Sequence, residues 1–150
     1  MEEEEREVKT KLKAYSESIL EIAPSGALTM DEHARFSYVN PTFLRWVGRE
    51  AKDFIGKAIP EVSPPFMSPK WTEVIAERAK KRVVTGEPII GAEIELIDKD
   101  GNPIPVSYSA AGIRDEKGNV VGEVVFFMDM RVEKAILERE EMIRKLFLHP

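Results

Sequence analysis

Residues 89–130 read IIGAEIELIDKDGNPIPVSYSAAGIRDEKGNVVGEVVFFMDM, and this stretch decides the fold. Two polar segments, 98–102 and 115–119, divide it into three runs rich in Val, Ile and aromatic residues. Such runs favour strands, and the Asp-Gly pair in the first segment favours a tight hairpin turn. The pattern therefore predicts an antiparallel meander of three strands over 89–97, 104–113 and 120–130.

The preceding part of the chain predicts mixed α and β structure. Asn40 is a good helix N-cap and Pro41 suits the first helical position, so a short helix is expected to begin there. Gly86 and Pro88 end the longest internal helix. The predicted elements are strands over 27–30 and 35–39, short helices over 41–47 and 51–55, a proline-rich loop over 60–69 and a long helix over 70–84.

An amphipathic helix is predicted at each end of the chain. Both helices place apolar side chains at alternating spacings of four and three residues, as coiled coils do. Because each pattern lasts only about two heptads, two interpretations remain: packing on the chain's own domain, or pairing of two chains in a homodimer. The chain thus divides into a helix over 1–23, a domain over 24–130 and a helix over 131–150. The stripes contain Val8, Leu12, Tyr15, Ile19 and Ile22, and then Val132, Ile136, Ile143 and Leu146, with Arg139 interrupting the second stripe.

Composition excludes several classes of protein. The 22 Lys and Arg against 27 Asp and Glu give a formal net charge of −5, which excludes a strongly basic nucleic-acid-binding protein. No apolar run approaches the roughly 18 residues of a membrane span, and the acidic start over 2–5 is unlike a signal peptide. We therefore expect a cytoplasmic protein. The absence of Gln and the abundance of Glu, Lys and Arg resemble hyperthermophile proteins.

The titratable residues form no recognisable catalytic or metal constellation. The sequence has no Cys and two His, so disulfides, thiolate zinc sites and cysteine nucleophiles are excluded. His33 lies in a predicted turn, and His149, next to the last residue, lacks the sequence context of a phosphoacceptor. The carboxylates occur in turns and on helix faces, and no glycine-rich phosphate loop is present. We expect neither an active site nor a metal site.

Several short motifs follow one another in a recognisable order. Tyr38-Val39-Asn40-Pro41 leads into the first short helix, and Phe54-Ile55-Gly56-Lys57 follows that helix. Asp129-Met130-Arg131-Val132-Glu133-Lys134 joins the last strand to the last helix. With the order of elements, these motifs resemble the PAS domain family over residues 18–134. The resemblance implies an α+β fold, with a five-stranded antiparallel sheet and short helices over one face.

Two positions depart from the family's pattern. Arg131 stands where Ser or Thr is usual, so we expect a different cap on the last helix. Ala34 stands where the first hairpin usually has Gly, so we expect a different turn there, because alanine tolerates positive φ poorly.

The resemblance also implies a pocket between the sheet and the helices, with a plain packed core as the alternative. Such pockets are mostly apolar with a few polar anchors. The predicted pocket residues are Tyr38, Asn40, Phe43, Val47, Phe66, Trp71, Ile75, Leu96, Ser107, Ser109, Phe126 and Met128, together with Leu28, Met30, Phe36, Ile59, Ile94 and Tyr108.

No cofactor is required by these residues. Heme is not expected, because the helix over 70–84 has no His. The light-sensing flavin domains of this family use a Cys and a Gln, and both residue types are absent, so a cysteinyl-flavin adduct is excluded. Non-covalent flavin binding stays open, with Asn40, Trp71, Ser107 and Ser109 as polar partners.

Two functions follow from the resemblance. The first is a sensory input module of a signal-transduction protein, such as a histidine kinase of a two-component system, which binds a small molecule and relays the signal through Asp129, Arg131 and the last helix. The second is a ligand-free dimerisation module. In both readings the output domain or partner protein lies outside this sequence, and neither involves nucleic acid or a membrane span.

Overall fold

The computed structural model describes residues 2–148, without the side chains of residues 8–10 and 12–17. The helices and strands follow the predicted order, and the α+β fold is confirmed. The short helix predicted over 51–55 is a 3₁₀ turn, and a second 3₁₀ turn lies at the start of the predicted loop over 60–69. In chain order the elements are α1 (Glu2–Ile22), β1 (Gly26–Asp31), β2 (Phe36–Val39), α2 (Pro41–Val47), 3₁₀ turns at Ala51–Asp53 and Ile59–Glu61, α3 (Pro69–Thr85), β3 (Ile89–Ile97), β4 (Pro103–Arg114), β5 (Val120–Asp129) and α4 (Arg131–Leu148).

The five strands form one antiparallel sheet in the order β2-β1-β5-β4-β3. The predicted meander is confirmed, with Leu96 of β3 opposite Ile104 of β4 and Tyr108 of β4 opposite Phe127 of β5. The chain must cross from β2 at one edge of the sheet to β3 at the other. Because α2, α3 and the 3₁₀ turns make this crossing, they cover one face of the sheet, which we call the inner face.

Asn40 fixes the start of α2 and the end of α1 together. Its side-chain oxygen accepts hydrogen bonds from the backbone N–H of Ala27 (2.9 Å) and of Phe43 (3.0 Å). Its side-chain nitrogen donates to the carbonyls of Leu20 (2.9 Å) and Ser25 (3.0 Å). The side chain is completely buried, so these four bonds satisfy an amide that would otherwise be costly to bury. The predicted N-cap therefore also joins α1, β1 and α2.

The turn between β1 and β2 contains Ala34 at φ 57°. The Asp31 carboxylate accepts hydrogen bonds from the backbone N–H of His33 (2.8 Å) and Arg35 (3.0 Å), and the Ala34 N–H donates to the Asp31 carbonyl (3.0 Å). Alanine therefore holds the left-handed conformation that glycine adopts readily, and the Asp31 side chain stabilises the loop around it.

Aromatic rings fill the space between the inner face and the covering helices. Phe36, Phe43, Phe54 and Phe66 pack edge to face, with ring centroids 5.3 to 6.0 Å apart. Phe43 also stacks on Phe127 of β5 at 5.6 Å. Edge-to-face packing is a favourable arrangement of aromatic pairs, so this cluster gives the short helical segments a defined position on the sheet.

Candidate functional site

A cavity of about 30 Å³ lies between the inner face and α3. This volume accommodates about one or two water molecules, whereas small-molecule sites usually enclose roughly 300–1,000 Å³. In this structure side chains therefore fill most of the space that was predicted to be a pocket. The cavity is lined by Leu28, Met30, Phe36, Ile59, Phe66, Met67, Ile75, Ala79, Arg82, Ile94, Tyr108, Glu123, Val125 and Phe127.

One ion pair lines this otherwise apolar cavity. Arg82 of α3 donates from Nη1 to Oε2 of Glu123 of β5 at 3.0 Å, and the two side chains are 8% and 1% exposed. Arg82 Nε also donates to the Glu87 carbonyl at 3.3 Å. Burial raises the pKa of the Glu123 carboxyl, and the nearby Arg82 charge offsets only part of this effect. The site thus holds a carboxylate in an environment that disfavours its charge.

A surface groove of about 200 Å³ lies against the same part of α3. Arg82 lines both this groove and the cavity, so it separates the two spaces. Arg78, one turn earlier on α3, donates from Nη1 to the hydroxyl of the buried Tyr108 at 2.7 Å. The groove is lined by Arg78, Lys81, Arg82, Thr85, Glu87, Pro88 and Ile89.

The structure corrects which face of β5 meets the cavity. Phe126 and Met128, predicted to line the pocket, are 40% and 58% exposed. Their register partners on β4, Ser109 and Ser107, lie on the same face of the sheet. This face is opposite the inner face, and we call it the outer face. Because successive strand residues point to opposite faces, the cavity is instead lined by alternate β5 residues beginning with Glu123.

The polar and aromatic anchors predicted for the pocket lie elsewhere. The Asn40 amide is fully engaged at the start of α2, as described above. Tyr38 pairs with Thr29 of β1 and does not line the cavity. Trp71 is half-buried against the core and lines a separate groove beside Lys134.

The remaining predicted pocket residues are buried, except Ile75, which is partly buried. Leu28, Met30, Phe36, Ile59, Phe66, Ile75, Ile94 and Tyr108 line the cavity. Phe43, Val47 and Leu96 are fully buried in the surrounding core without lining it. Sequence reasoning missed Arg82 and Glu123. The available signal was the charge of Glu123 between two apolar runs of β5, residues 120–122 and 124–128.

One family matches most of the chain. A family model described as "PAS domain" matches residues 24–131. The chain belongs to the PAS domain family. This PAS domain is 28% identical over 122 residues to the C4-dicarboxylate transport sensor protein DctS of Rhodobacter capsulatus, a match that covers 81% of the chain. The chain spans only 18% of that relative's length.

Solved PAS structures share the fold. The PAS domain of Bordetella pertussis BvgS superposes with a TM-score of 0.71 at 18% identity, covering 91% of this chain and 99% of that one. A structure of VqmA bound to DPO superposes with a TM-score of 0.66 at 21% identity, covering 83% of this chain and 60% of that one; VqmA is a Vibrio cholerae protein. At these identities the likeness shows the fold.

The junction between the PAS sheet and α4 is held by Asp129. Its carboxylate accepts hydrogen bonds from the backbone N–H of Arg131 (3.0 Å) and from Nη2 of the same residue (2.6 Å). Burial alone would raise the pKa of Asp129, but these bonds to Arg131 outweigh it and hold that pKa below its ordinary value. The expected different cap is thus an aspartate that binds the first helical residue through both backbone and side chain.

The apolar stripes of the terminal helices are exposed where they are described. No residue of α4 is buried, and Ile136 and Leu146 are 52% and 70% exposed. In α1, Ile19 and Ile22 are exposed, while the side chains of Val8, Leu12 and Tyr15 lie outside the described residues. Of the two histidines, His33 is exposed in its turn, and His149 lies outside the described residues.

Two features are absent from the described part of the chain. Between residues 2 and 148, no helix is long and apolar enough to cross a membrane. The described residues also contain no group of three or more His, Cys, Asp and Glu side chains that is arranged to hold a metal ion.

Proposed function

We propose that this PAS domain is the sensory input module of a larger signalling protein, and that a small molecule binding in the inner cavity changes the position of α4. The observation that carries the proposal is the continuity of β5 with α4. Glu123, Val125 and Phe127 line the cavity, and the strand ends at Asp129, two residues beyond Phe127. A displacement of the cavity wall therefore reaches the start of α4 along a single strand.

The junction is suited to relay such a displacement. The Met130 N–H donates to the Pro105 carbonyl at 2.9 Å, which ties the strand's end to β4. Asp129 holds Arg131 and thereby the first turn of α4. A ligand that binds one arrangement of β5 more tightly than another would shift the population of α4 positions by its differential affinity.

The proposal includes a homodimer that forms through the terminal helices. Each stripe has the spacing of a coiled-coil seam, and an apolar helix face of this kind is stable when a partner helix covers it. In α4 the stripe runs from Val132 to Leu146, and Arg139 occupies one seam position. The likeness to the sensor protein DctS supports a sensory role. The proposal adds a downstream kinase or similar regulator as the output, with the module in the cytoplasm. We assign no catalytic site to this segment.

A ligand-free dimerisation module is the second candidate, and the small size of the cavity favours it. A volume of about 30 Å³ leaves no space for a metabolite unless the surrounding side chains move. In that case the PAS domain would set the geometry of the paired helices without responding to a small molecule.

The residues predicted to bind a flavin do not fit that cofactor. Ser107 and Ser109 lie on the outer face, across the sheet from the cavity. The Asn40 amide is satisfied by the backbone of three elements. No polar anchor from the predicted set remains at the cavity, so we propose no flavin chemistry.

Native mass spectrometry of the purified chain, with a denatured control, tests the proposal. A dimer that carries a defined extra mass, lost on denaturation, is the expected result and would identify the ligand class. A dimer of bare polypeptide mass, both from cells and after incubation with a metabolite extract, would favour the dimerisation module. A monomer would contradict the role of the terminal helices.

A further inference from the structure

The Arg82–Glu123 pair stands between a charged groove and an apolar cavity. Arg82 lines both spaces, and its guanidinium reaches Glu123 on the cavity side. A molecule that moved from the groove into the cavity would therefore meet the Arg82 guanidinium first. It would have to separate Arg82 from Glu123, or replace one of them.

A gain in stability is a weak explanation for the burial of this ion pair. Removing both charges from water costs more than their attraction commonly returns, and apolar residues of similar volume often stabilise a core as well or better. Buried charged groups beside a cavity are accordingly candidates for functional sites. Here the surrounding wall is apolar, so the Arg82 guanidinium is the group at the cavity that binds an anion. The Glu123 carboxylate occupies that position in this structure.

The charge of the groove favours an anionic ligand. Arg78, Lys81 and Arg82 line it from α3, and Glu87 is the one carboxylate among its described lining residues. A cleft with an excess of one charge attracts ligands of the opposite charge. The cavity beyond is lined by aliphatic and aromatic side chains, which favour an apolar chain.

We propose that the ligand is an amphipathic monocarboxylate, whose carboxylate binds Arg82 in place of Glu123 and whose apolar tail enters the cavity. This inference rests on the proposed sensory function and names its ligand class. The tail enlarges the cavity by displacing adaptable side chains, of which the unbranched Met30 and Met67 are the most easily rearranged. A dicarboxylate of equal length fits poorly, because its second charge would lie among apolar side chains.

Displacement of Glu123 couples binding to proton uptake. The charged or titratable side chains that line the cavity with Glu123 are Arg82 of α3 and Tyr108 of β4, and Arg78 of α3 donates to the Tyr108 hydroxyl. Its strand partners, Met30 of β1 and Gly112 of β4, have no titratable side chain. Once Arg82 binds the ligand, Glu123 loses its cationic partner in a buried position and takes up a proton. Binding is therefore tighter at lower pH.

Isothermal titration of the chain with hexanoate, at about pH 6 and about pH 8, tests the inference, because a simple carboxyl is ionised at both values. Hexanol, adipate and acetate are matched probes that lack the charge, add a second charge, or lack the tail. The variants are Arg82→Met, Glu123→Gln, and Lys80→Met as a control that removes a neighbouring charge of α3 outside the groove. Circular dichroism establishes that each variant is folded.

We expect hexanoate to bind at least about tenfold more tightly than any of the three probes, since a charge-assisted hydrogen bond and the tail both contribute. Glu123→Gln should bind hexanoate more tightly and lose the pH dependence, because the competing anion is gone. Arg82→Met should lose about tenfold or more in affinity, and Lys80→Met should behave as the unaltered chain does.

Three results would overturn the inference and leave the sensory function standing. The first is hexanol binding as tightly as hexanoate, which would show an apolar ligand. The second is a bound mass of different chemistry in native mass spectrometry. Hexanoate binding that is unchanged in Glu123→Gln would also overturn it, and this variant keeps a side chain of the same shape should Arg82→Met fail to fold. If no probe binds and no bound mass is found, both the ligand class and the sensory function fail.

Discussion

Gly112 of β4 lies directly against Gly86, the residue that ends α3. A Cβ atom at position 112 would lie 2.6 Å from the Gly86 Cα, and the Gly112 N–H donates to the Gly86 carbonyl at 3.3 Å. Gly86 itself has φ 72° and caps α3 by donating to the Arg82 carbonyl at 2.7 Å. This backbone contact fixes how closely the Arg82 turn of α3 approaches the sheet.

The replacement Gly112→Ala should separate α3 from β4. Because the added methyl group meets backbone rather than a flexible side chain, we expect a loss of about 1–3 kcal/mol in the free energy of unfolding, measured by urea denaturation. Gly118→Ala is the comparison, since a Cβ there meets nothing within 4 Å. It tests only the cost of alanine at φ 83°, which is about 1–2 kcal/mol. Because Gly112 does not have a positive φ, a Gly112→Ala variant as stable as the unaltered chain would show that the close approach carries no energy.

Replacement of Asn40 should destabilise both the N-terminal junction and α2. Asn40→Ala removes the acceptor of two buried N–H groups and one donor from each of two carbonyls, and we expect a loss of about 2–4 kcal/mol. Asn40→Ser restores a cap for the Phe43 N–H but is too short to reach α1, so it should recover only part of that loss. Denaturant unfolding measures both variants. Full recovery by serine would mean that the contact with α1 contributes nothing.

The raised pKa of Glu123 should make the unaltered chain less stable as pH rises. The folded state binds this proton more tightly than the unfolded state does, so the stabilisation is complete below the ordinary value of 4.5 and is lost as pH rises through the raised value. One such proton changes the unfolding free energy by at most about 1.4 kcal/mol per pH unit. Urea unfolding across this range should show the slope in the unaltered chain and not in Glu123→Gln. If the unfolding free energies of the two proteins depended on pH in the same way, the slope could not be assigned to Glu123.

Asp129 should contribute a pH dependence of the opposite sign. Its pKa is lowered in the folded state, so its contribution is present above the ordinary value of 3.8 and is lost as pH falls through the lowered value. The stability difference between the unaltered chain and Asp129→Asn should therefore shrink on acidification. The helical signal of α4 followed during the acid titration provides the measurement. A difference that grows as pH falls would be inconsistent with the carboxylate acting as the charged cap.

Arg139 should weaken the proposed pairing of α4 helices. A charged residue in a coiled-coil seam reduces stability, and like charges meet when two copies align in parallel. We expect Arg139→Leu to tighten the dimer by about tenfold or more in Kd, which is roughly 1.4 kcal/mol, as measured by sedimentation equilibrium. Arg144→Leu adds the same side chain to α4 outside the stripe and is the matched control. An equal decrease in the dimer Kd of both variants would show nonspecific hydrophobic association rather than pairing along the apolar stripe.

The element order was predictable because its signals are local. Asn40 and Pro41 begin α2, Gly86 ends α3, and Asp98 and Asp115 stabilise their turns by accepting backbone hydrogen bonds from residues two and four positions later. Each of these interactions lies within a few residues of the chain. Composition and spacing were therefore sufficient to locate them.

The face of β5 that meets the cavity was not predictable in the same way. Residues 124–127 read Val-Val-Phe-Phe, which is apolar at both alternations, so the period of two that distinguishes the faces of a strand is absent. The buried position of Glu123 is made possible by Arg82, which lies 41 residues earlier. From the sequence alone, a charged residue whose partner is so distant cannot be distinguished from a solvent-exposed residue of the strand.

The hydrogen bonds of Asn40 connect the domain mechanically to α1. Its amide is bonded to the carbonyl of Leu20 in α1 and to the N–H of Ala27 in β1, and β1 is paired directly with β5. A rotation or pull applied to α1 must therefore either break these buried bonds or move β1 with it. The strand that leads out to α4 adjoins the strand that receives this force, so the sheet can transmit torque from one terminal helix to the other with no ligand bound.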